Sequence, residues 1–171
     1  MDEILDVVDE KDKFVRKSTR KEVREKALMY RVSRVVIVNN KGEFLMQKRS
    51  MNKDIYPGYW DIGVAGTVSS GEGYVGTAIR ELTEELGIIG ISNIQLMHSF
   101  LFKLKYHSSM DNEHCKVYKL IYDGKIIPQK EEVDEIKFLT DEGTKELIGT
   151  SNFHPVGAIV FKKYLELKNK N

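Results

Sequence analysis

The stretch GTVSSGEGYVGTAIRELTEELGI, residues 66–88, sets a helical stripe of apolar residues beside carboxylates crowded onto neighbouring positions. Val75, Ala78, Ile79, Leu82 and Leu86 recur at helical spacing, and Gly87 stands where a helix would stop. The spacing predicts a helix over 73–86. At about 100° per residue, the stripe points one way and Glu81, Glu84 and Glu85 largely the other, within about 100° of each other. Like charges this close destabilise a helix by about 0.2–0.5 kcal/mol per pair. One reading is a solvated acidic face, which is commonplace. The other is a set of hard oxygen ligands for Mg²⁺ or Mn²⁺, whose charge would remove the repulsion. Magnesium is usually shared with substrate phosphates, so a diphosphate would be its companion.

The rest of the chain bounds these alternatives. Its 171 residues fit one domain, 1–171, with enough length for a real core. With 41% hydrophobic and 31% charged residues and a net charge of +1, nothing points to a nucleic-acid polymer or an anionic membrane as partner. A single cysteine, Cys115, rules out an internal disulfide and suits a reducing compartment. The acidic start MDEILDVVDEKDK is wrong for a targeting peptide, and no apolar run reaches a membrane span. A cytoplasmic protein is the expectation.

Along the chain, residues 1–30 read as an extension: a hairpin around the turn at 9–13, then an exposed charged helix or loop over 17–26 with no assigned role. Val35–Val38 and Phe44–Gln47 are β-rich runs joined by the Asn39-Asn40-Lys41-Gly42 turn, a hairpin signature. Residues 54–63 (DIYPGYWDIG) read as loop plus a short strand. Strands are expected over 94–104, 116–122 and 135–139, a short helix over 141–147 and a terminal helix over 156–167 after Pro155. The order lacks strict βαβ alternation, so a mixed sheet with helices on its faces is favoured over a doubly wound one.

What separates the solvated face from the metal site is the wider spacing. Gly66, five residues, Glu72, seven residues, Arg80-Glu81-Leu82, one residue, Glu84-Glu85, one residue, Gly87-Ile88 resembles the Nudix box at every specified position. So long a gapped motif is far more specific than a lone glycine pattern. The resemblance implies an α+β fold, an α/β/α sandwich with a mixed β-sheet between helices, and a box (66–88) forming loop–helix–loop. It implies a divalent-metal-dependent hydrolase that cleaves a phosphoanhydride in a small-molecule diphosphate by water attack on phosphorus. Glu81, Glu84 and Glu85 resemble the metal ligands, with a backbone carbonyl near Ala65–Gly66. Arg80 resembles the residue that braces Glu72 and orients the glutamates. Ser69-x-x-Glu72 also fits a capping box. Hydrolases of this family are often homodimers, but no segment announces an interface.

The flank LMQKRSMNKDIYPGYWDIGVAG, 45–66, resembles the branch that includes isopentenyl-diphosphate isomerases, through Lys53, Pro57, Gly58 and Trp60, and DNEHC, 111–115, resembles their Glu-Asn-Glu stretch. The isomerase alternative is disfavoured by Ala65 and Thr67, which stand where those enzymes carry a catalytic cysteine and a metal-binding histidine, and by Tyr30 in place of a further histidine. An alanine side chain cannot move a proton. Cys115 reads as a buried structural residue. A catalytically silent nucleotide-binding module is a third reading, weakened by the intact carboxylates.

Outside the box, Glu113, Glu131 and Glu132 are candidates for an additional acid. Lys48 and Arg49, ending a strand before the site, are candidates for binding substrate phosphate. Tyr59 and Trp60 suit either base stacking or the core. His98, His107, His114 and His154 show no zinc-ligand spacing, though His107 and His114 flank the segment before Glu113. Tyr106 is weak evidence for a dinucleoside-polyphosphate substrate, and the substrate stays open among nucleoside di- and triphosphates and other diphosphate-linked molecules.

Overall fold

A computed structural model describes residues 2–106 and 109–170. The extension forms the hairpin β1 (Ile4–Val8) and β2 (Phe14–Thr19), then the short helix α1 (Arg20–Glu25). The strands β3 (Met29–Val38), β4 (Phe44–Arg49), β5 (Trp60–Ile62) and β6 (Val64–Thr67) lead into helix α2 (Tyr74–Leu86). Then come β7 (Gln95–Tyr106), β8 (Ser109–Ile121), β9 (Val133–Leu139), α3 (Asp141–Thr150) and α4 (Pro155–Lys168).

The strands join in one mixed sheet built on β3. β8 runs parallel along its whole length, from Met29↔Asn112 to Val38↔Ile121. Its other edge is shared in turn by β1 at Tyr30, β6 at Val32–Val35 and β4 at Val38, all antiparallel. A strand packed on both faces is a near-continuous apolar run, and only Arg31 in β3 is not buried. Its alternating side chains feed two cores. Val32 and Val36 belong to one core with Val23 of α1 and with Val156, Val160 and Phe161 of α4, while Val35 and Ile37 belong to the other with Ala78, Leu82 and Leu86 of α2. Helices therefore cover both faces of the sheet, the sandwich that the sequence predicts.

Several expectations need correction. The β3–β4 turn forms, with Asn39 Oδ1 accepting from the backbone N–H groups of Lys41 at 3.0 Å and Glu43 at 2.9 Å. Yet the strands pair only at Val38↔Phe44, because β4 takes β5 and β9 as its partners. The two strands diverge away from the turn, and the cleft opens between the Met29 end of β3 and the Arg49 end of β4. Strand β8 begins well before residue 116, so Asp111–Cys115 is strand rather than loop. Helix α2 buries Tyr74, Thr77, Ala78, Leu82, Glu85 and Leu86, and it exposes Val75. The buried face is thus rotated from the apolar stripe and includes Glu85.

Candidate active site

Helix α2 starts at Gly73, not in a capping box: Ser69 Oγ donates to Glu3 at 2.8 Å and Glu72 turns away to Arg80. It ends at Gly87, whose φ of 63° suits a residue without Cβ, with Ile88 N–H returning to the Leu82 carbonyl at 3.0 Å. Between these ends, Arg80 organises the acids. Its Nε and Nη2 donate to the two carboxylate oxygens of Glu72, each at 3.1 Å. Nη1 donates to Glu81 at 2.7 Å and Glu84 at 3.0 Å, and Nη2 reaches the Thr67 carbonyl at 3.2 Å. The Arg80 hydrogen bond holds the Glu72 carboxyl below its ordinary range.

Glu85 is 2% exposed and accepts from Gln47 Nε2 at 2.9 Å and Lys53 Nζ at 3.2 Å. Lys53 also pairs with Glu132. Glu81 lies one turn back, 12% exposed, its carboxyl pushed up to about 7 by burial first and by the Glu85 charge next. Glu84 is the exposed member of the three. A Cβ on Gly66 would overlap the Glu81 carboxylate, so only glycine lets that acid lie against the β6 backbone. Glu81 and Glu85, with Ala65 and Gly66, line a cavity of about 400 Å³ where β3 and β4 diverge.

The donor set suits a hard divalent cation. All the acids offer oxygen, and the carboxylates of half-buried Glu81 and buried Glu85, one helical turn apart at the negative end of α2, carry charge that a cation would offset. Gln47 Oε1, on the amide that donates to Glu85, is buried without a hydrogen-bond partner among the described residues. Among those residues no three acidic, histidine or cysteine side chains are gathered as a ready-made cage.

The other candidates divide. Glu113 lines the cavity, 7% exposed, with its carboxyl pushed up to about 7 mainly by burial. Parallel pairing sets it beside Tyr30, whose hydroxyl donates to Asp111 at 3.0 Å and reaches Glu113 at 3.5 Å. Glu132 lines the cavity through Lys53, whereas Glu131 is exposed outside it. Arg49 is in the wall, with Nε and Nη2 on the Ile55 carbonyl at 3.1 and 2.9 Å. Lys48 is not among the residues that line the cavity. Trp60 is core, with Lys137 Nζ 4.0 Å above its ring. Tyr59 and Tyr106 flank the ring of Tyr56 at 5.0 and 4.4 Å.

His114 contacts Tyr74 at 3.1 Å rather than the cavity, and His107 lies outside the described residues. Cys115 is fully buried in the core, its thiol pushed up to about 12 by that burial. Ala65 and Thr67 both line the cavity, and neither offers a thiol or an imidazole there.

Sequence reading missed Gln47, Lys53 and His154 as parts of the site. His154 lines the cavity with burial lowering its imidazole to about 4. Only Lys53 carried a signal, its place in the flanking motif. Arg20 and Arg24 of α1 also reach the cavity and were likewise unforeseen.

Comparison with known proteins gives the family and the fold. Residues 29–150 match the NUDIX domain family. An uncharacterized Nudix hydrolase of Pseudomonas aeruginosa is 32% identical over 164 residues, covering 96% of this chain and 94% of its own. One from Listeria innocua is 31% identical over 166 residues, covering 96% and 94%. Among solved structures, DR0079 from Deinococcus radiodurans superposes with a TM-score of 0.77 at 24% identity, over 94% of this chain and 98% of that one, a likeness of fold. The chain belongs to the NUDIX family and is a hydrolase of that family. No helix among the described residues is long and apolar enough to cross a membrane.

Proposed function

We propose that this hydrolase cleaves a phosphoanhydride bond of a small-molecule diphosphate with the help of Mg²⁺ or Mn²⁺. The observation that carries the reading is that buried Glu85 and half-buried Glu81, whose carboxylate lies against Gly66, line one cavity wall together. Like charges held this close persist where a cation or a strong donor offsets them, and at Glu81 burial and the Glu85 charge outweigh Arg80.

Glu81, Glu84 and Glu85 would hold the cation, together with the backbone carbonyl oxygens at Ala65–Gly66. The chemistry it supplies is neutralisation of the diphosphate and a lower pKa for the attacking water. The chain's own groups do the rest. Arg80, fixed by Glu72, keeps Glu81 and Glu84 in place as hydrogen-bond acceptors, and Lys53 does the same for Glu85 and Glu132. Glu113 is the best-placed additional acid, since a carboxyl near 7 can exchange a proton at neutral pH. Arg49 at the wall is the better phosphate donor of the pair Lys48 and Arg49. The catalytic unit is the single domain 1–171, with small molecules as partners.

The test is a Mg²⁺-supplemented screen of nucleoside di- and triphosphates, nucleotide sugars, dinucleoside polyphosphates and isopentenyl diphosphate, with products resolved chromatographically and Glu85→Gln as control. Anhydride cleavage by the wild type alone is expected. Silence across the panel with metal bound would favour a ligand-sensing module, and isomerised isopentenyl diphosphate would overturn the hydrolytic reading.

A further inference from the structure

The family match begins at residue 29, yet the cavity is closed on one side by residues that precede it. Arg20 and Arg24 lie four apart on α1, hence on one face of the helix, and both line the cavity. Arg20 also borders the adjoining hollow that holds Glu84, so it stands where the two spaces meet.

The other arginines and the lysine in the wall each donate a hydrogen bond within the protein, and of Arg49 only Nη1 is left over among the described residues. Arg34 Nη1 donates to the buried Asp61 at 3.1 Å, Arg49 holds the Ile55 carbonyl, and Lys53 spans Glu85 and Glu132. Arg24 differs: it is an ion pair 3.7 Å from Asp111, too far for a hydrogen bond. Arg20 gives one N–H, through Nη1, to Glu3 at 2.8 Å. Among the described residues the remaining guanidinium donors of both arginines carry no hydrogen bond. They are forked donors suited to a phosphoryl group.

The element that presents them is fixed. Leu5 and Val23 are fully buried, and Asp12 in the hairpin turn accepts from Arg31 Nε at 2.6 Å and from the Tyr74 hydroxyl of α2 at 3.0 Å. Asn112 Nδ2 of β8 donates to the Ala27 carbonyl at 3.0 Å just after α1. Donors held in place before the ligand arrives lose little freedom on binding.

We propose that the N-terminal extension completes the substrate site, with Arg20 and Arg24 receiving the free terminal phosphoryl group of a diphosphate whose other end faces the box carboxylates. Two adjacent guanidinium charges match a dianionic terminal phosphoryl group better than the single charge of an esterified one. The site therefore selects diphosphates with one uncapped end over molecules esterified at both ends. This rests on the reading of the cavity as a diphosphate site.

The experiment is calorimetric titration of the full chain with Mg²⁺ and methylenediphosphonate, which lacks a cleavable bridge, and with its P,P′-dimethyl ester, capped at both ends. The variants are Arg20→Ala, Arg24→Lys, the double Arg20→Ala/Arg24→Lys and Glu3→Gln. The uncapped probe should bind the wild type at least tenfold more tightly than the capped one. Arg20→Ala should weaken the uncapped probe about tenfold and the double variant more, with the preference for it shrinking. Glu3→Gln breaks the same ion pair while keeping the guanidinium, so it should bind as the wild type does. A merely structural Arg20 would instead make Glu3→Gln and Arg20→Ala fail alike, and that result overturns the proposal. So does a wild type that binds neither probe or prefers the capped one. If the variants lose binding but no substrate is hydrolysed, the hydrolytic reading falls and the arginine wall stands. If substrate is hydrolysed and the variants bind as the wild type does, the wall falls alone.

Discussion

The Arg80 guanidinium and the Glu72 carboxylate meet as a two-pronged pair, Nε to Oε1 and Nη2 to Oε2, both at 3.1 Å. This leaves Nη1 to hold Glu81 and Glu84 together. Lysine can supply the charge but not the planar fork. Arg80→Lys should therefore reduce kcat by about 10–100-fold and raise the Mg²⁺ concentration needed for half activity, by loss of the orientation that such supporting contacts give metal ligands. Steady-state kinetics across a Mg²⁺ series checks this; an unchanged Mg²⁺ dependence would argue against the orienting role.

Glu85 is buried although it lies off the apolar stripe of its helix, so its replacement tests stability as well as activity. Glu85→Gln keeps the shape while removing the charge beside Glu81. Turnover should fall by about 100-fold or more if the carboxylate holds the cation. In metal-free buffer the melting temperature should stay close to that of the wild type, since the lost Lys53 ion pair is offset by relief of the Glu81 repulsion. Thermal melts with and without Mg²⁺ decide it: the wild type should gain stability from the metal and the variant should not.

Glu113 gives a pH signature. Its carboxyl is raised to about 7 in the folded chain from an ordinary value of 4.5, mainly by burial. The native state then binds more protons than the unfolded state between those values. The stability this contributes is fully present below the unfolded value and is lost as pH rises through about 7. Glu113→Gln should lack this slope and gain on the wild type, by about 1–3 kcal/mol, between pH 5 and pH 8. Urea unfolding at both pH values in EDTA measures it; parallel pH profiles would refute it.

Arg34 and Asp61 form a pair whose side chains are 4% and 2% exposed. A buried acid left without its partner costs more than the pair contributes while intact, about 3–5 kcal/mol. Arg34→Met should destabilise by that order, and Arg34→Met/Asp61→Leu should recover part of the loss. Denaturant midpoints for the four species of the cycle check the coupling. Simple additivity would show that the two charges are not coupled.

The box helix, the extension hairpin and the terminal helix were legible because each rests on local signals: periodicity in 73–86, the turn at 9–13, and Pro155 at the first position of α4. The β3–β4 hairpin shows where local signals stop. Its turn chemistry was readable, but the near-absence of pairing beyond it was not, since strand partners are chosen by distant segments. Val75 fitted the apolar stripe by hydropathy and is exposed, while Glu85 was excluded by its charge and is buried. Gln47 gave no signal, because an amide in a strand becomes part of a site only when a helix 38 residues away lays a carboxylate on it.

By itself the sequence determined which acids stand together on the box helix: the spacing of Arg80, Glu81, Glu84 and Glu85 fixes which groups share a helix turn, since a helix maps sequence interval directly onto angle and rise. The tertiary structure alone decided which of those acids is buried, which lysine and amide meet Glu85, and that a charged helix before the family domain brings Arg20 and Arg24 to the cavity. Those outcomes depend on contacts between residues far apart in the chain, which packing and strand register set and no local pattern encodes.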